Sequence, residues 1–275
     1  MAGTPDLPAP AGAPAAVQAI DWGTNRNKAM DAARRDGKPL LMYFSARWCR
    51  PCREMEASLW SRPDVIAMAS KFVCLHVDID RDSSTAARYD AQSVPIVSIA
   101  DPWGTELARR EGYGGPDTYV ELLRAVPIDF SEIAPWQEAL AEDPRDVEAL
   151  RQVGLAYHRL GLFDASTRFL EKVLRSKDVK AHPDLLAEVL TMVGWNHLKS
   201  HDFKSARKSL ERCLKEVPSH PALDVTLYGL LAVHLAANER DQAVTLLDRL
   251  ESCCPGSALT ARARKDLESP LAQSQ

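Results

Sequence analysis

Phe44-Ser45-Ala46-Arg47-Trp48-Cys49-Arg50-Pro51-Cys52-Arg53-Glu54-Met55 joins an apolar run to a run of helical character through two cysteines. Upstream, Pro39-Leu40-Leu41-Met42-Tyr43-Phe44 is short and apolar and opens at Gly37-Lys38-Pro39, the pattern of a buried strand after a turn. Downstream, residues 53–60 read as helix. Cys49 therefore falls near a helix N-terminus, where unpaired N–H groups and the helix dipole favour a thiolate. Arg47, Arg50 and Arg53 add positive charge, so a lowered thiol pKa is expected. Pro51 lies in the first turn, where its missing N–H costs little. The step from Cys49 to Cys52 brings both sulfurs to one face, which permits a reversible disulfide. Half of a zinc site would show the same spacing, but no second C-x-x-C or spaced histidine pair accompanies it, so no metal is expected.

Trp48-Cys49-Arg50-Pro51-Cys52 after a buried strand resembles the active-site motif of the thioredoxin superfamily. Val77-Asp78-Ile79-Asp80, Thr85-Ala86-Ala87-Arg88-Tyr89 and Ser93-Val94-Pro95-Ile96 follow in the order and approximate spacing of the second half of that fold. The resemblance covers residues 20–126 and implies an α/β fold with a mixed central sheet flanked by helices. It implies that Cys49 and Cys52 are catalytic, and that Trp48, Val94 and a cis Pro95 hold the substrate chain. Two positions depart from the pattern. Tyr43 stands where a buried Asp is usual, and His76 replaces the accompanying Lys, so the proton acceptor for the second cysteine changes. Tyr43 is a poor base, with an unperturbed pKa of about 10, whereas His76, at about 6.5, could serve as a relay. His76 as a plain strand residue is the simpler alternative. Arg50-Pro51 in place of Gly-Pro favours the thiolate and a more oxidising disulfide.

The whole chain fits a two-domain protein of 275 residues. Hydrophobic residues at 45% and charged residues at 26% supply ordinary globular cores. A net charge of −4 gives no basic footprint for nucleic acid. No apolar run approaches the roughly 18 residues that span a bilayer, so no membrane partner is expected. Residues 1–19, rich in Ala and Pro without a basic or continuous apolar region, read as a disordered leader rather than a secretory signal. The expected address is the cytoplasm, where C-x-x-C pairs tend to be catalytic or metal-binding.

Along the first domain, Trp22 is expected to anchor a helix over 27–36 that ends at Gly37. Helices are expected over 65–71, 82–90 and 117–125, and strands over 72–79, 96–100 and 106–111, with a hairpin turn at 101–104. Cys74 reads as a small buried residue. Residues 127–145 form a linker with a partial helix, because strand signals stop there.

Residues 146–268 carry an internal repeat. Val153-Gly154-Leu155-Ala156-Tyr157, Val193-Gly194-Trp195-Asn196-His197 and Leu230-Leu231-Ala232-Val233-His234 superimpose, each with a following apolar-periodic helix. With Ser166, Ala206 and Ala243 in the second helices, and Pro218 and Pro255 after the last two, they resemble tetratricopeptide (TPR) repeats. That implies an all-α solenoid of about three helical hairpins plus a capping helix, in which stacking supplies the core. Leu231 replaces the usual small residue, so looser packing is expected there. Cys213, Cys253 and Cys254 are expected to pack or lie inert at repeat junctions, with a redox role as the lesser alternative, and Tyr157, His197 and His234 to form a packing column rather than a metal site. By analogy with TPR arrays, the concave groove includes Arg151, His158, Arg159, Trp195, Lys199 and Tyr228. Such a groove suits an extended acidic peptide, or is an ordinary solvated face.

The combined expectation is a thiol-disulfide oxidoreductase acting on disulfide-bearing proteins, with a TPR module that recruits substrate or partner. Its only redox group would be the Cys49–Cys52 pair. No Gly-rich dinucleotide fingerprint appears, so electrons must come from an external reductase or thiol donor. The rival expectation is a TPR adaptor whose thioredoxin-like domain binds or senses redox state with little turnover.

Overall fold

A computed structural model describes residues 19–268, so the leader expected at 1–19 lies, but for Ala19, outside the described residues. The chain divides into two compact units, the first ending at Asp129 and the second beginning at Phe130.

In the first unit, β1 (Leu40–Ser45) is the centre of a four-stranded sheet and is buried along its whole length. It runs parallel to β2 (Val73–Asp78) and antiparallel to β3 (Ile96–Ala100), and β4 (Glu106–Glu111) closes the order β2-β1-β3-β4. A strand covered on both faces needs no polar alternation, which is why residues 40–44 are apolar without a break. Period-two geometry divides its side chains. Leu41 and Tyr43 enter one core with residues of α2 (Arg50–Ser58), α3 (Pro63–Ala69) and α5 (Asp117–Ala125). Leu40, Met42 and Phe44 enter the other with α1 (Arg26–Asp36) and α4 (Ser83–Arg88). Asn25 caps α1 by accepting the Lys28 N–H at 3.0 Å, and Gly37 ends it at φ +63°, a left-handed value that glycine adopts without strain. Gly23 adds a parallel bridge beside β2, which seats Trp22 against Tyr43, Trp60 and His76.

The helix after the two cysteines begins at Arg50, three residues earlier than the periodicity suggests, because Cys49 itself caps it. Apolar spacing marks the face of a helix but not its first turn, which here is polar and capped by sulfur.

The second unit is helical throughout its named elements: α6 (Ala134–Glu142), α7 (Val147–Arg159), α8 (Phe163–Arg175), α9 (Pro183–Lys199), α10 (Phe203–Glu216), α11 (Leu223–Ala236), α12 (Arg240–Cys253) and α13 (Ala258–Glu268). α7/α8, α9/α10 and α11/α12 are TPR-like hairpins. A Cβ on Gly154 would come within 2.6 Å of Leu170, and one on Gly194 within 2.5 Å of Leu210, so each glycine lets the two helices of its hairpin approach. Leu231, at the matching position of the third hairpin, is completely buried. His197 pairs with Asp202 at 3.6 Å and His234 with Glu239 at 2.6 Å, each tying the end of one helix to the cap of the next. The longer connection between the first two hairpins holds a 3-10 turn, Asp178–Ala181, anchored by buried Val179. Among the described residues no helix is long and apolar enough to cross a membrane, and no group of three or more His, Cys, Asp or Glu is arranged to hold a metal.

Candidate active site

Where β1 ends, Ala46 accepts the Cys49 N–H at 3.1 Å, and the chain turns directly into α2. Cys49 occupies the cap position with its sulfur accepting the Cys52 N–H at 3.1 Å. A negative sulfur there is stabilised by that N–H and by the helix dipole. Cys49 and Cys52 are joined as a disulfide with their Cα atoms 5.3 Å apart. Both residues are almost wholly covered, at 2% and 1% exposure, whereas neighbouring Trp48 is 65% exposed. Its indole Nε1 donates to Asp80 Oδ2 at 3.0 Å, which holds the ring beside the pair. β3 begins next to the C-terminal end of β1, with Phe44 opposite Ile96. The Val94–Pro95 peptide that leads into it is cis. Val94 is half-buried and packs against the core that contains both cysteines.

The arginines contribute less charge than their number suggests. Arg50 is exposed and paired with Glu54 at 3.2 Å, and Arg53 Nη1 donates to the Arg47 carbonyl at 3.0 Å. Solvent and the neighbouring carboxylate both screen the Arg50 cation, leaving the cap and the dipole as the main support for a thiolate.

Tyr43 and His76 are register partners on β1 and β2, and their rings stack at 5.1 Å and 14°. Burial, with the Glu56 carboxylate adding to it, pushes the Tyr43 phenol far above its ordinary range, so it stays protonated and acts as a donor. Its single hydroxyl hydrogen is shared between the Cys52 carbonyl at 3.2 Å and Glu56 Oε1 at 3.4 Å. Burial holds the His76 imidazole below its ordinary range, with Glu56 and Asp78 opposing. Its Nε2 meets Ser45 Oγ at 2.6 Å. The hydrogen-bonding nitrogen is thus turned to the β1 strand rather than to the sulfurs. Glu56, one turn further along α2, shares the Tyr43 hydroxyl with the Cys52 carbonyl. The i,i+4 spacing from Cys52 to Glu56 was its signal in the sequence.

The groove residues separate into three groups. Trp195, Lys199 and Tyr228 come together: the two rings lie 5.9 Å apart, Lys199 Nζ sits 5.9 Å from the indole centroid, Trp195 donates to the Val225 carbonyl at 3.2 Å and Tyr228 to Asp266 at 2.7 Å. Arg151 is instead held by both oxygens of Glu188, at 2.7 and 2.9 Å, and by Glu148 at 2.8 Å. Arg159 is paired with Glu132, and His158 meets Asn196 at 2.6 Å.

A thioredoxin-like family model matches residues 21–102. The chain is 41% identical over 64 residues to a TPR repeat-containing thioredoxin of Arabidopsis thaliana, which is 23% of this chain and 16% of that protein. It is 28% identical over 95 residues to the thiol:disulfide interchange protein DsbD 2 of Pseudomonas aeruginosa, covering 33% of this chain and again 16% of the relative. The chain therefore spans only about a sixth of the length of these two relatives. With a thioredoxin of Streptomyces clavuligerus it shares 32% identity over 91 residues, 33% of this chain but 78% of the relative. That match spans most of a whole thioredoxin, and the fold has a Cys49–Cys52 disulfide at the head of α2 and a cis Val94–Pro95 peptide leading into β3. Through its first unit, the chain belongs to the thioredoxin family.

Proposed function

We propose that the protein is a thiol-disulfide oxidoreductase that exchanges disulfides with protein substrates. The observation that carries this reading is the Cys49–Cys52 disulfide at the start of α2, with the Cys49 sulfur accepting the Cys52 N–H. In the reduced form Cys49 is the attacking thiolate. It opens a substrate disulfide, takes one sulfur into a mixed disulfide and releases the other as a thiol. Cys52 then loses its proton, attacks the Cys49 sulfur and releases the second substrate thiol. Two electrons leave the pair, and an external thiol donor restores them. Trp48 and Val94 flank the sulfur and Pro95 positions the substrate backbone. Glu56, one turn along α2 from Cys52, is the carboxylate we assign to receive the Cys52 proton, by way of solvent; the Tyr43 hydroxyl, which reaches the Cys52 carbonyl and Glu56, positions that carboxylate and does not carry the proton.

The TPR-like unit recruits the substrate or a partner through Lys199 and Trp195, a cation beside a half-buried indole that buried Tyr228 supports from behind, which suits an acidic peptide with an apolar anchor. Arg151 and Arg159 are already paired with carboxylates and take less part. Lys199→Glu should weaken capture of such a peptide at least tenfold, and unchanged capture removes the assignment.

Cys52→Ser should accumulate a mixed disulfide between Cys49 and a model protein disulfide, released by excess thiol. Cys49→Ser should do neither. Reduction by Cys49→Ser at the wild-type rate would end the proposal. A second reading, a TPR adaptor with little turnover, draws on Tyr43 at the usual place of a buried acid. It predicts a response to substrate disulfides that is stoichiometric only.

A further inference from the structure

Four cysteines lie outside the Cys49–Cys52 disulfide, and the fold treats them in two ways. Cys74 is buried in β2, its thiol reaches the Ala69 carbonyl at 3.6 Å, and burial pushes its pKa up to about 12. Cys213 is completely buried in α10 among Thr191, His220 and Thr226, at 3.5, 3.5 and 3.9 Å, and burial raises its thiol too. Neither is open to a reagent. Cys253 and Cys254 lie at the junction of α12 and α13, as expected, but they are not packed away like the other two. Cys253 ends α12 and is exposed, and Cys254 is half-buried.

Their sulfurs are 2.7 Å apart, within about 0.7 Å of a disulfide bond. The turn from α12 to α13 is built by the Cys254 backbone and not by the thiols. Cys254 N donates to the Leu250 carbonyl at 2.9 Å, and the Cys254 carbonyl accepts from Thr260 Oγ1 at 2.8 Å and from the Ser257 N–H at 3.0 Å. Apart from a long approach of Cys253 Sγ to the Leu250 carbonyl at 3.9 Å, the hydrogen bonds of these side chains are to each other.

We propose that Cys253 and Cys254 are a second redox site, a vicinal dithiol that closes to a disulfide across one peptide bond by exchange with a small disulfide of the glutathione class. The hydrogen bond shared with Cys253, with burial adding to it, pushes the Cys254 thiol up to about 11, the direction expected when Cys254 is the donor, so exposed Cys253 is the first to attack. Its thiolate attacks one sulfur of the small disulfide, whose S–S bond breaks and releases one thiol. Cys254 then gives its proton to water and attacks the Cys253 sulfur, and the second thiol leaves. The pair is oxidised by two electrons and the small disulfide becomes two thiols.

Adjacent residues hold their Cα atoms about 3.8 Å apart, below the roughly 4.4–6.8 Å that disulfides ordinarily span. The ring is therefore strained and exposed, the condition under which disulfides are most easily reduced. Cys49–Cys52, at 5.3 Å, lies inside that ordinary span. The vicinal disulfide is thus the stronger oxidant of the two, and a reduced Cys49–Cys52 dithiol can pass electrons to it.

The test is equilibration of the full-length chain in glutathione buffers of graded ratio, followed by acid quenching, alkylation and mass measurement of the peptides holding each pair. A Cys253–Cys254 peptide that lacks two hydrogens should appear, and its exchange constant should lie at least tenfold further toward the dithiol than that of Cys49–Cys52. The wild-type chain gives both values without a substitution. Cys49→Ser/Cys52→Ser should retain the vicinal signal and Cys253→Ser should lose it, so the result stands apart from activity at Cys49. Thiols at 253 and 254 that remain alkylatable or only carry glutathione at every ratio would overturn the proposal. So would a ring as hard to reduce as Cys49–Cys52.

Discussion

Tyr43, Glu56 and His76 are the three groups among which the proposed deprotonation of the second cysteine is to be tested. The Tyr43 hydroxyl lies between the Cys52 carbonyl and the Glu56 carboxylate, while His76 Nε2 is given to Ser45. If Glu56 takes the Cys52 proton, Glu56→Gln should slow release of the mixed disulfide by about 10²-fold, with recovery as pH rises and Cys52 ionises unaided. Tyr43→Phe loses one hydrogen bond of about 1 kcal/mol and should cost roughly fivefold. His76→Gln should leave the step nearly unchanged, and a large loss there would return the relay to His76. His76 has a different signature, in stability. Its folded-state pKa is depressed by burial, so below about pH 6.5 the unfolded chain binds more protons than the folded one. Its contribution is complete above that pH and declines as pH falls through it to the folded-state pKa. Urea midpoints at pH 7 and 5.5 should show this decline, and His76→Gln should flatten it. The cysteine spacing and the Tyr43 substitution were legible because they are local. Glu56 was legible only as an i,i+4 neighbour of Cys52, because its contact with Tyr43 of β1 exists only once α2 starts at Arg50.

Among the elements, β3, β4 and α5 coincide with their sequence patterns, since Asp101-Pro102-Trp103-Gly104 and Gly112-Tyr113-Gly114-Gly115-Pro116 bracket them with turn residues. The buried Asp101 carboxylate secures the first of these turns, accepting the Trp103 and Thr105 N–H groups at 2.9 and 2.8 Å. The helical hairpins were legible through their small residues, and the structure gives the reason: Leu170 and Leu210 occupy the space a side chain at Gly154 or Gly194 would need. Gly194→Val should therefore destabilise the second unit by about 1–3 kcal/mol through overpacking, seen as a lower thermal midpoint. An unchanged midpoint would mean that α9 and α10 can separate freely. The third hairpin escapes the pattern because Leu231 is accommodated there in full burial, while α11 places Gly229 against the Trp195 indole.

At the scale of the whole molecule, a thioredoxin-family unit that offers one exposed indole beside a covered disulfide is joined to a helical-hairpin unit with an aromatic and cationic cluster of its own. The division of the chain was legible because strand signals end where helical periods begin, but the pairing of groove cations with Glu188 and Glu132 was not, as it depends on side chains distant in sequence. The first unit is proposed to do the chemistry and the second to bring the substrate to it. The most direct test is a count of turnovers: the full-length chain at one-hundredth the concentration of a protein disulfide, with dithiol in excess, followed by thiol release. The account predicts many disulfides reduced per chain, with the rate lost in Cys49→Ser. Release that stops at about one disulfide per chain, or a rate unchanged by Cys49→Ser, would contradict it.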